Sequence, residues 1–273
     1  MADRRCVFID FDGTFAHRGV APRAHAEAVE RARANGHVIL LCTGRPNSIV
    51  AAEVAALFDG VVASAGGWIQ VGEQLLKDER FPEELGRRAV EVLQRHEVPF
   101  TLETPEALLC TPRSARELHA RVRPALPEDG VGNGLQDLLD AIELPEDLAS
   151  RSFAKISLWG SPLPIEQLAQ EIGPEIGALP NSITGDASSG ELHLLAVDKA
   201  DGVAAVAAHL GIDQSATVGI GDGMNDLGML RAAGTAIAIQ GAVPAVLEAA
   251  GGVAVPGPLE HGIVTAFERL EML

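Results

Sequence analysis

Apolar residues in this chain gather in short unbroken runs, separated by stretches in which they recur every three or four positions. Cys6-Val7-Phe8-Ile9, His37 to Cys42, Gly60 to Ser64, Ala216 to Ile220, Thr235 to Ile239 and Gly252 to Val255 are the runs. Each is short and rich in β-branched residues, the pattern of a strand buried on both faces of a parallel sheet. Between the first two lies a helical segment, Pro22 to Asn35, with Ala24, Ala28, Val29 and Ala32 on one side and Asn35-Gly36 to end it. Further helices are expected from about Ser48 to Phe58, from Ala200 to Leu210 and from Gly262 to Leu270. Strand, helix, strand, helix, strand is the rhythm of an α/β protein with an open, doubly wound (Rossmann-like) parallel sheet.

The rhythm breaks in the middle of the chain. From about Asp78 to Glu191 the pattern predicts strands at Val98 to Glu103, Ala107 to Thr111 and Phe153 to Trp159, and helices at Pro82 to His96, Ser114 to Val122 and Pro164 to Ile172. Mixed hairpins and helices suit an α+β insert. The expected division is a core domain of residues 1–78 and 192–273, with an inserted cap domain of residues 79–191. Asp186-Ala187-Ser188-Ser189-Gly190 has the composition of the returning linker.

The strands of the outer segments end in polar clusters. The first runs into Asp10-Phe11-Asp12-Gly13-Thr14. Carboxylates at the end of a buried strand are costly unless a cation or a substrate compensates them. Alternation sends Asp10 and Asp12 to the same side, and Gly13 lets the chain turn tightly. An Asp-Gly turn is also a common local cap, so this segment alone leaves both readings open. The second strand ends in Thr43-Gly44-Arg45, a later helix begins near Lys199, and another strand ends in Gly221-Asp222-Gly223-Met224-Asn225-Asp226. Singly, these too have plain alternatives: a strand-to-helix turn, a solvated helix start, a turn. Together they fall at one edge of an open parallel sheet, where ligands bind.

Composition narrows the choice. The 273-residue chain carries a formal net charge of −17, which argues against nucleic acid or an anionic membrane as a partner, since both are bound through clustered Lys and Arg. Tyr is absent and aromatic residues make up 4%, leaving few platforms for stacking on bases. Cys6, Cys42 and Cys110 are odd in number and sit in apolar surroundings, as buried free thiols in a reducing compartment do. With no signal region after Met1-Ala2-Asp3-Arg4-Arg5 and no run of spanning length, a cytoplasmic protein is expected, a monomer or small homo-oligomer.

The clusters contain the parts that phosphoryl transfer needs: an in-line nucleophile, a proton donor for the leaving oxygen, and positive charge around the phosphoryl oxygens. Asp10 can attack phosphorus to form an aspartyl-phosphate, and Asp12 can serve as acid and base. Asp10, Asp222 and the backbone carbonyl of Asp12 can hold an octahedral ion, with Asp226 orienting a metal-bound water; all-oxygen ligation points to Mg²⁺. Thr43 and Lys199 can hold the phosphate by hydroxyl and by charge.

In these residues the chain resembles the haloacid dehalogenase-like superfamily of phosphohydrolases. Asp10 to Thr14 matches its first motif, Thr43-Gly44-Arg45 the second, Lys199 the third and Gly221 to Asp226 the fourth. The resemblance implies the roles given above and adds Asn225 and Gly44 to the phosphate contacts. An insert between the second motif and Lys199 is similar to the Cof-type (IIB) branch, whose members are mostly sugar-phosphate and small-metabolite phosphatases. Asp12, absent from the dehalogenases, selects ester hydrolysis. The expected activity is therefore Mg²⁺-dependent hydrolysis of a small phosphomonoester; a mutase-type phosphotransfer and a non-hydrolytic metabolite-binding role are the alternatives. Three departures stand out: Ala65-Gly66 and Gln240-Gly241-Ala242 lack the asparagines usual in that branch, and Ala200 replaces the usual Gly after the lysine. Within the insert, Arg113, Arg116, Arg151 and Lys155 could meet an anionic substrate tail but read rather as a solvated face, and Glu191 with His193, which share a strand face, could ligate a metal but read rather as structural residues.

Overall fold

A computed structural model describes residues 4–122, 130–180 and 188–273. In chain order, one sheet takes β1 (Cys6–Ile9), β2 (Val38–Cys42), β3 (Gly60–Ala63), β4 (Trp68–Val71) and β5 (Gln74–Asp78). A second takes β6 (Phe100–Glu103), β7 (Leu108–Cys110), β8 (Ile142–Glu143), β9 (Lys155–Trp159), β10 (Ile176–Pro180) and β11 (Ser189–Leu194). The chain then returns to the first with β12 (Thr217–Gly221), β13 (Thr235–Ile239) and β14 (Ala254–Val255). The first sheet has the order β14-β13-β12-β1-β2-β3-β4-β5, parallel from β14 to β3 and antiparallel beyond. Strand order reverses between β1 and β12, so Asp10 and Asp222, each just past the end of its strand, meet at the switch point.

Alternation builds three layers. Val7, Ile9, Ile39, Leu41, Val218 and Ile220 point to one face, under the helices Arg23–Ala34 and Gly262–Arg269. Cys6, Phe8, Leu40, Cys42 and Val62 point to the other, under Lys199–Leu210 and Leu227–Ala232. The doubly wound α/β fold expected from the sequence is present. All three cysteines are buried and free, and burial pushes the Cys6 thiol up to about 12 and Cys110 to about 11, so neither is a ready nucleophile.

Three local expectations give way. The helix expected over Ser48 to Phe58 is broken: a 3₁₀ turn over Asn47–Ile49 is followed by extended backbone at Val50 and Ala51, then a single turn, Ala52–Ala55. Side-chain bonds outweigh helix propensity there, since Ser48 Oγ donates to the carbonyl of Thr104, just past β6, at 2.9 Å and Arg45 reaches the Ile49 carbonyl at 3.4 Å. The hairpin β4–β5, turning at Gly72 (φ 54°), lies where no strands were expected and caps the sheet edge with mixed polar residues. Of the expected linker, Asp186 and Ala187 lie outside the described residues, while Ser189 and Gly190 already belong to β11 and pair with Trp159 and Leu158. The pairing of the second sheet continues to Leu194, beyond residue 191.

A buried histidine fastens the turn after β1 to the last helix. The His25 Nδ1–H donates to the Phe15 carbonyl at 2.8 Å and Nε2 accepts from the Ile263 amide at 3.3 Å, an arrangement only the neutral ring permits. Burial, aided by His261 and opposed by the Phe15 carbonyl, lowers its pKa to about 4. The unfolded chain therefore binds a proton that the fold refuses, and stability present above pH 6.5 is lost as pH falls toward 4. The loss expected over that interval is about 3 kcal/mol, and His25→Gln should flatten it in urea titrations. An unchanged slope in the variant would count against the assignment.

Candidate active site

Asp10 and Asp12 follow the last residue of β1, and Gly13 (φ 92°) turns the chain beside Asp222. A Cβ at Gly13 would sit 2.6 Å from the Asp222 carboxylate, so glycine is required by both conformation and space. Thr14 Oγ1 donates to Asp222 Oδ1 at 2.6 Å and orients it. Asp226 lies in a 3₁₀ turn, Met224–Asp226, that brings its Oδ2 within reach of the amides of Asp222 at 3.0 Å and Gly223 at 2.8 Å.

Lys199 is fully buried and donates to Asp10 Oδ1 and Asp226 Oδ1, each at 2.6 Å. A cation at the first position of a helix opposes the helix dipole. Asp198 and Asp201 offset it through a capping box, and the ion pairs fix the ammonium at the sheet edge. The solvated helix start is thus excluded. Burial acts to lower the Lys199 pKa, but Asp10 and Asp226 outweigh it and hold the group charged. Burial, then Asp226, raise the Asp10 pKa well above the carboxylate range despite Lys199. Burial raises Asp222 as well, against its bond from Thr14.

Asp10, Asp222 and Asp226 each offer a carboxylate oxygen within 4.8 Å of the others. When all three are ionised they carry two more charges than Lys199 balances, a donor set and a charge that suit one hard divalent cation. The three do not offer equal access. Both oxygens of Asp226 are engaged by Lys199 and two amides, whereas Asp222 Oδ2 has no bonded donor among the described residues.

The second cluster also converges. Thr43 is buried and its Oγ1 accepts from the Arg45 amide at 3.1 Å; Gly44 and Asn225 line the same cavity. Arg45 has a role the sequence did not reveal. Its Nε and Nη2 donate to the two oxygens of Asp12, both at 2.7 Å, and its guanidinium stacks 4.6 Å from the Phe11 ring. Asp12, which lines the cavity, is held in a bidentate ion pair.

The insert closes over these groups. Lys155 is 2% exposed, not solvated, and donates to the Gly44 carbonyl at 2.6 Å and to Glu191 at 2.9 Å. Glu191 pairs with Lys155, as a structural residue does, and also lines the cavity beside Glu103, Ser157 and Trp159. His193 does not line it. Arg113, Arg116 and Arg151 are exposed, as expected. The missed residues carried one signal: Thr101 and Glu103 alternate with Phe100 and Leu102, and Lys155 and Ser157 with Ile156 and Leu158. Of the branch departures, Ala65 adopts the left-handed conformation (φ 54°) that asparagine enters more readily.

The chain is similar to known proteins in sequence and in fold. A sequence model of the haloacid dehalogenase-like hydrolases matches residues 7–267. The 5-amino-6-(5-phospho-D-ribitylamino)uracil phosphatase YwtE of Bacillus subtilis (strain 168) is 24% identical over 273 residues, 89% of this chain and 90% of its own. Among solved structures, the HAD subclass IIB sugar phosphatase BT4131 superposes with a TM-score of 0.81 at 22% identity, covering 98% of this chain and 100% of that one. A haloacid dehalogenase-like hydrolase from Bacteroides thetaiotaomicron gives 0.81 at 19% identity, with 98% and 100% covered. With the family's motifs converging at the switch point and its sequence model spanning nearly the whole length, the chain belongs to the haloacid dehalogenase-like hydrolase family, as an enzyme of the phosphatase type.

Proposed function

We propose that this protein is a Mg²⁺-dependent phosphatase of a small phosphomonoester, a sugar phosphate or related metabolite, acting in the cytoplasm through an aspartyl-phosphate. The observation that carries the reading is the buried group of Asp10, Asp222, Asp226 and Lys199 at the switch point, with Asp12 beside it. Asp10, Asp222 and the Asp12 carbonyl would hold the cation, which neutralises phosphoryl charge when bound. Asp226 positions Lys199 and the turn that carries Asp222.

Asp10 attacks phosphorus with one carboxylate oxygen, and the bond to the ester oxygen breaks. A protonated Asp12 gives its proton to that leaving oxygen; then, as a carboxylate, it takes one from the water that splits the aspartyl-phosphate. Inorganic phosphate leaves and Asp10 is regenerated. Arg45 occupies both Asp12 oxygens in the closed arrangement, so Asp12 must give up at least one of these bonds to serve. Thr43, Gly44, Lys199 and Asn225 surround the phosphoryl oxygens. The cap keeps bulk water from the intermediate.

The names of the comparison proteins agree in kind: one acts on a phosphorylated ribityl chain and one is a sugar phosphatase. A panel of phosphate esters assayed with Mg²⁺ and with excess chelator tests the reading. Phosphate release is expected with Mg²⁺ and none above background with chelator. Chelator-resistant turnover, or ligand-dependent thermal stabilisation with no release across the panel, would reject it. Trapping by added alcohols in place of water would favour phosphotransfer.

A further inference from the structure

The cap strands β6, β9 and β11 turn one face toward the site. Register sets Glu103 opposite Lys155 and Glu191 opposite Ser157. Leu102, Ile156, Leu158 and Leu192, on the other face, pack in the core of the cap. The cavity over Asp10 and Asp12 is therefore roofed by two carboxylates and one ammonium, with Ser157 and Trp159 beside them.

The cations in this space are already committed. Lys155 donates to the Gly44 carbonyl and to Glu191, and lies 3.3 Å from Glu103 Oε2. Arg45 gives two bonds to Asp12, and Lys199 lies below, between Asp10 and Asp226. Among the described residues lining the cavity, no cation is left to receive a second anionic group. Glu103 is differently placed. It is 4% exposed, and Ser157 Oγ donates to its Oε1 at 2.5 Å. Its Oε2 forms an ion pair with Lys155 at 3.3 Å and, among the described residues, receives no well-directed hydrogen bond. A buried acceptor in this position has room for a donor from the ligand.

We propose that Glu103 and Glu191, held in place by Lys155, are the specificity-determining pair of the cap, accepting an uncharged, hydroxyl-bearing leaving group and rejecting esters with a second anionic group. The inference rests on the phosphomonoesterase reading and extends it to the end of the substrate away from phosphorus. A hydroxyl there donates to Glu103 Oε2, while the carbon chain lies against Ile49, Leu108, Leu138 and Trp159. A carboxylate or second phosphate at the same place would face two carboxylates with no unpaired cation to answer it. Like-charge juxtaposition of that kind is a strong device for exclusion.

Sorbitol 6-phosphate and 6-phosphogluconate test this, since they share chain length and phosphate and differ at the far carbon, a CH₂OH against a carboxylate. In the wild-type enzyme kcat/KM is expected to favour the polyol ester by at least about tenfold. The isosteric variants Glu103→Gln and Glu191→Gln should each reduce that ratio by about threefold or more, through a relative gain on 6-phosphogluconate. A wild-type ratio near one, or a ratio unmoved in both variants, would overturn the proposal. The wild-type ratio is a readout in itself, so a variant that fails to fold does not shield the idea. If no ester is hydrolysed, p-nitrophenyl phosphate included, the phosphatase reading falls by itself. Calorimetric titration of the same two esters into Asp10→Asn then decides the selection: tighter binding of the polyol ester upholds it, and equal or absent binding of both removes it.

Discussion

Asp10→Asn will lower ester hydrolysis by at least about 10⁴-fold and, without metal, will raise the melting temperature. The first effect follows from chemistry, since a carboxamide oxygen at this position does not form the phosphoryl bond. The second follows from burial. Asp10 shares its space with Asp222 and Asp226 against one ammonium, and burial with the Asp226 charge raises its pKa well above the ordinary value. Over the interval between its unfolded and folded pKa the native state holds a proton that the unfolded chain has released. Stability tied to that proton is present at low pH and fades as pH rises. The amide removes the titration, so the gain of the variant should be larger at pH 8 than at pH 5 in melts with chelator. Turnover within tenfold of wild type would eliminate Asp10 as nucleophile. A variant that melts lower than wild type at pH 8 would show instead that the Lys199 bond outweighs the repulsion.

Lys199→Met should cost about 3–5 kcal/mol of stability at neutral pH, the usual consequence of removing one partner from a buried ion pair. Methionine fills the volume of the stem but leaves Asp10 and Asp226 facing each other without the ammonium that each contacts at 2.6 Å. The Lys199 pKa is raised, so its contribution is present across the whole working range and is lost only in strong alkali. The pH dependence of the variant comes from the carboxylates left behind. Protonation relieves them, and the deficit should shrink as pH falls from 8 to 5. Urea unfolding at the two pH values reads both effects. A deficit below about 1 kcal/mol at pH 8 would mean that the cluster is compensated in some other way.

Why some of this was legible and some not has physical reasons. The parallel strands were readable because burial on both faces leaves no polar positions, as in Val38–Cys42. Their ends were readable because a charge beyond such a run has few structural uses, and Asp10, Thr43, Lys199 and Asp222 do meet there. The hairpin β4–β5 was not, since an edge tolerates Gln70, Gln74 and Lys77 and loses the apolar run. Lys155 shows a deeper limit. A strand that alternates apolar and polar residues normally puts its polar face in water, and here the segment after β2 meets that face, with Lys155 donating to the Gly44 carbonyl. Local pattern reports which side of a strand is polar, not what lies opposite. The Asp12–Arg45 pair was hidden for a similar reason, since both belong to recognised motifs and nothing in the spacing says that they bind each other.

The position of β1 between β2 and β12 also bears on the order in which a ribosome delivers the parts. β1 is made before the rest of its sheet, yet the partner on its other side begins at Thr217 and the helix that anchors its turn through His25 begins at Gly262. The strands β6 to β11, contiguous in sequence and paired among themselves, emerge between these halves. They can assemble while the first sheet still lacks three of its eight strands. The acidic cluster is thus completed late, only when both ends of the chain are available, and contacts of such long range are slow to form.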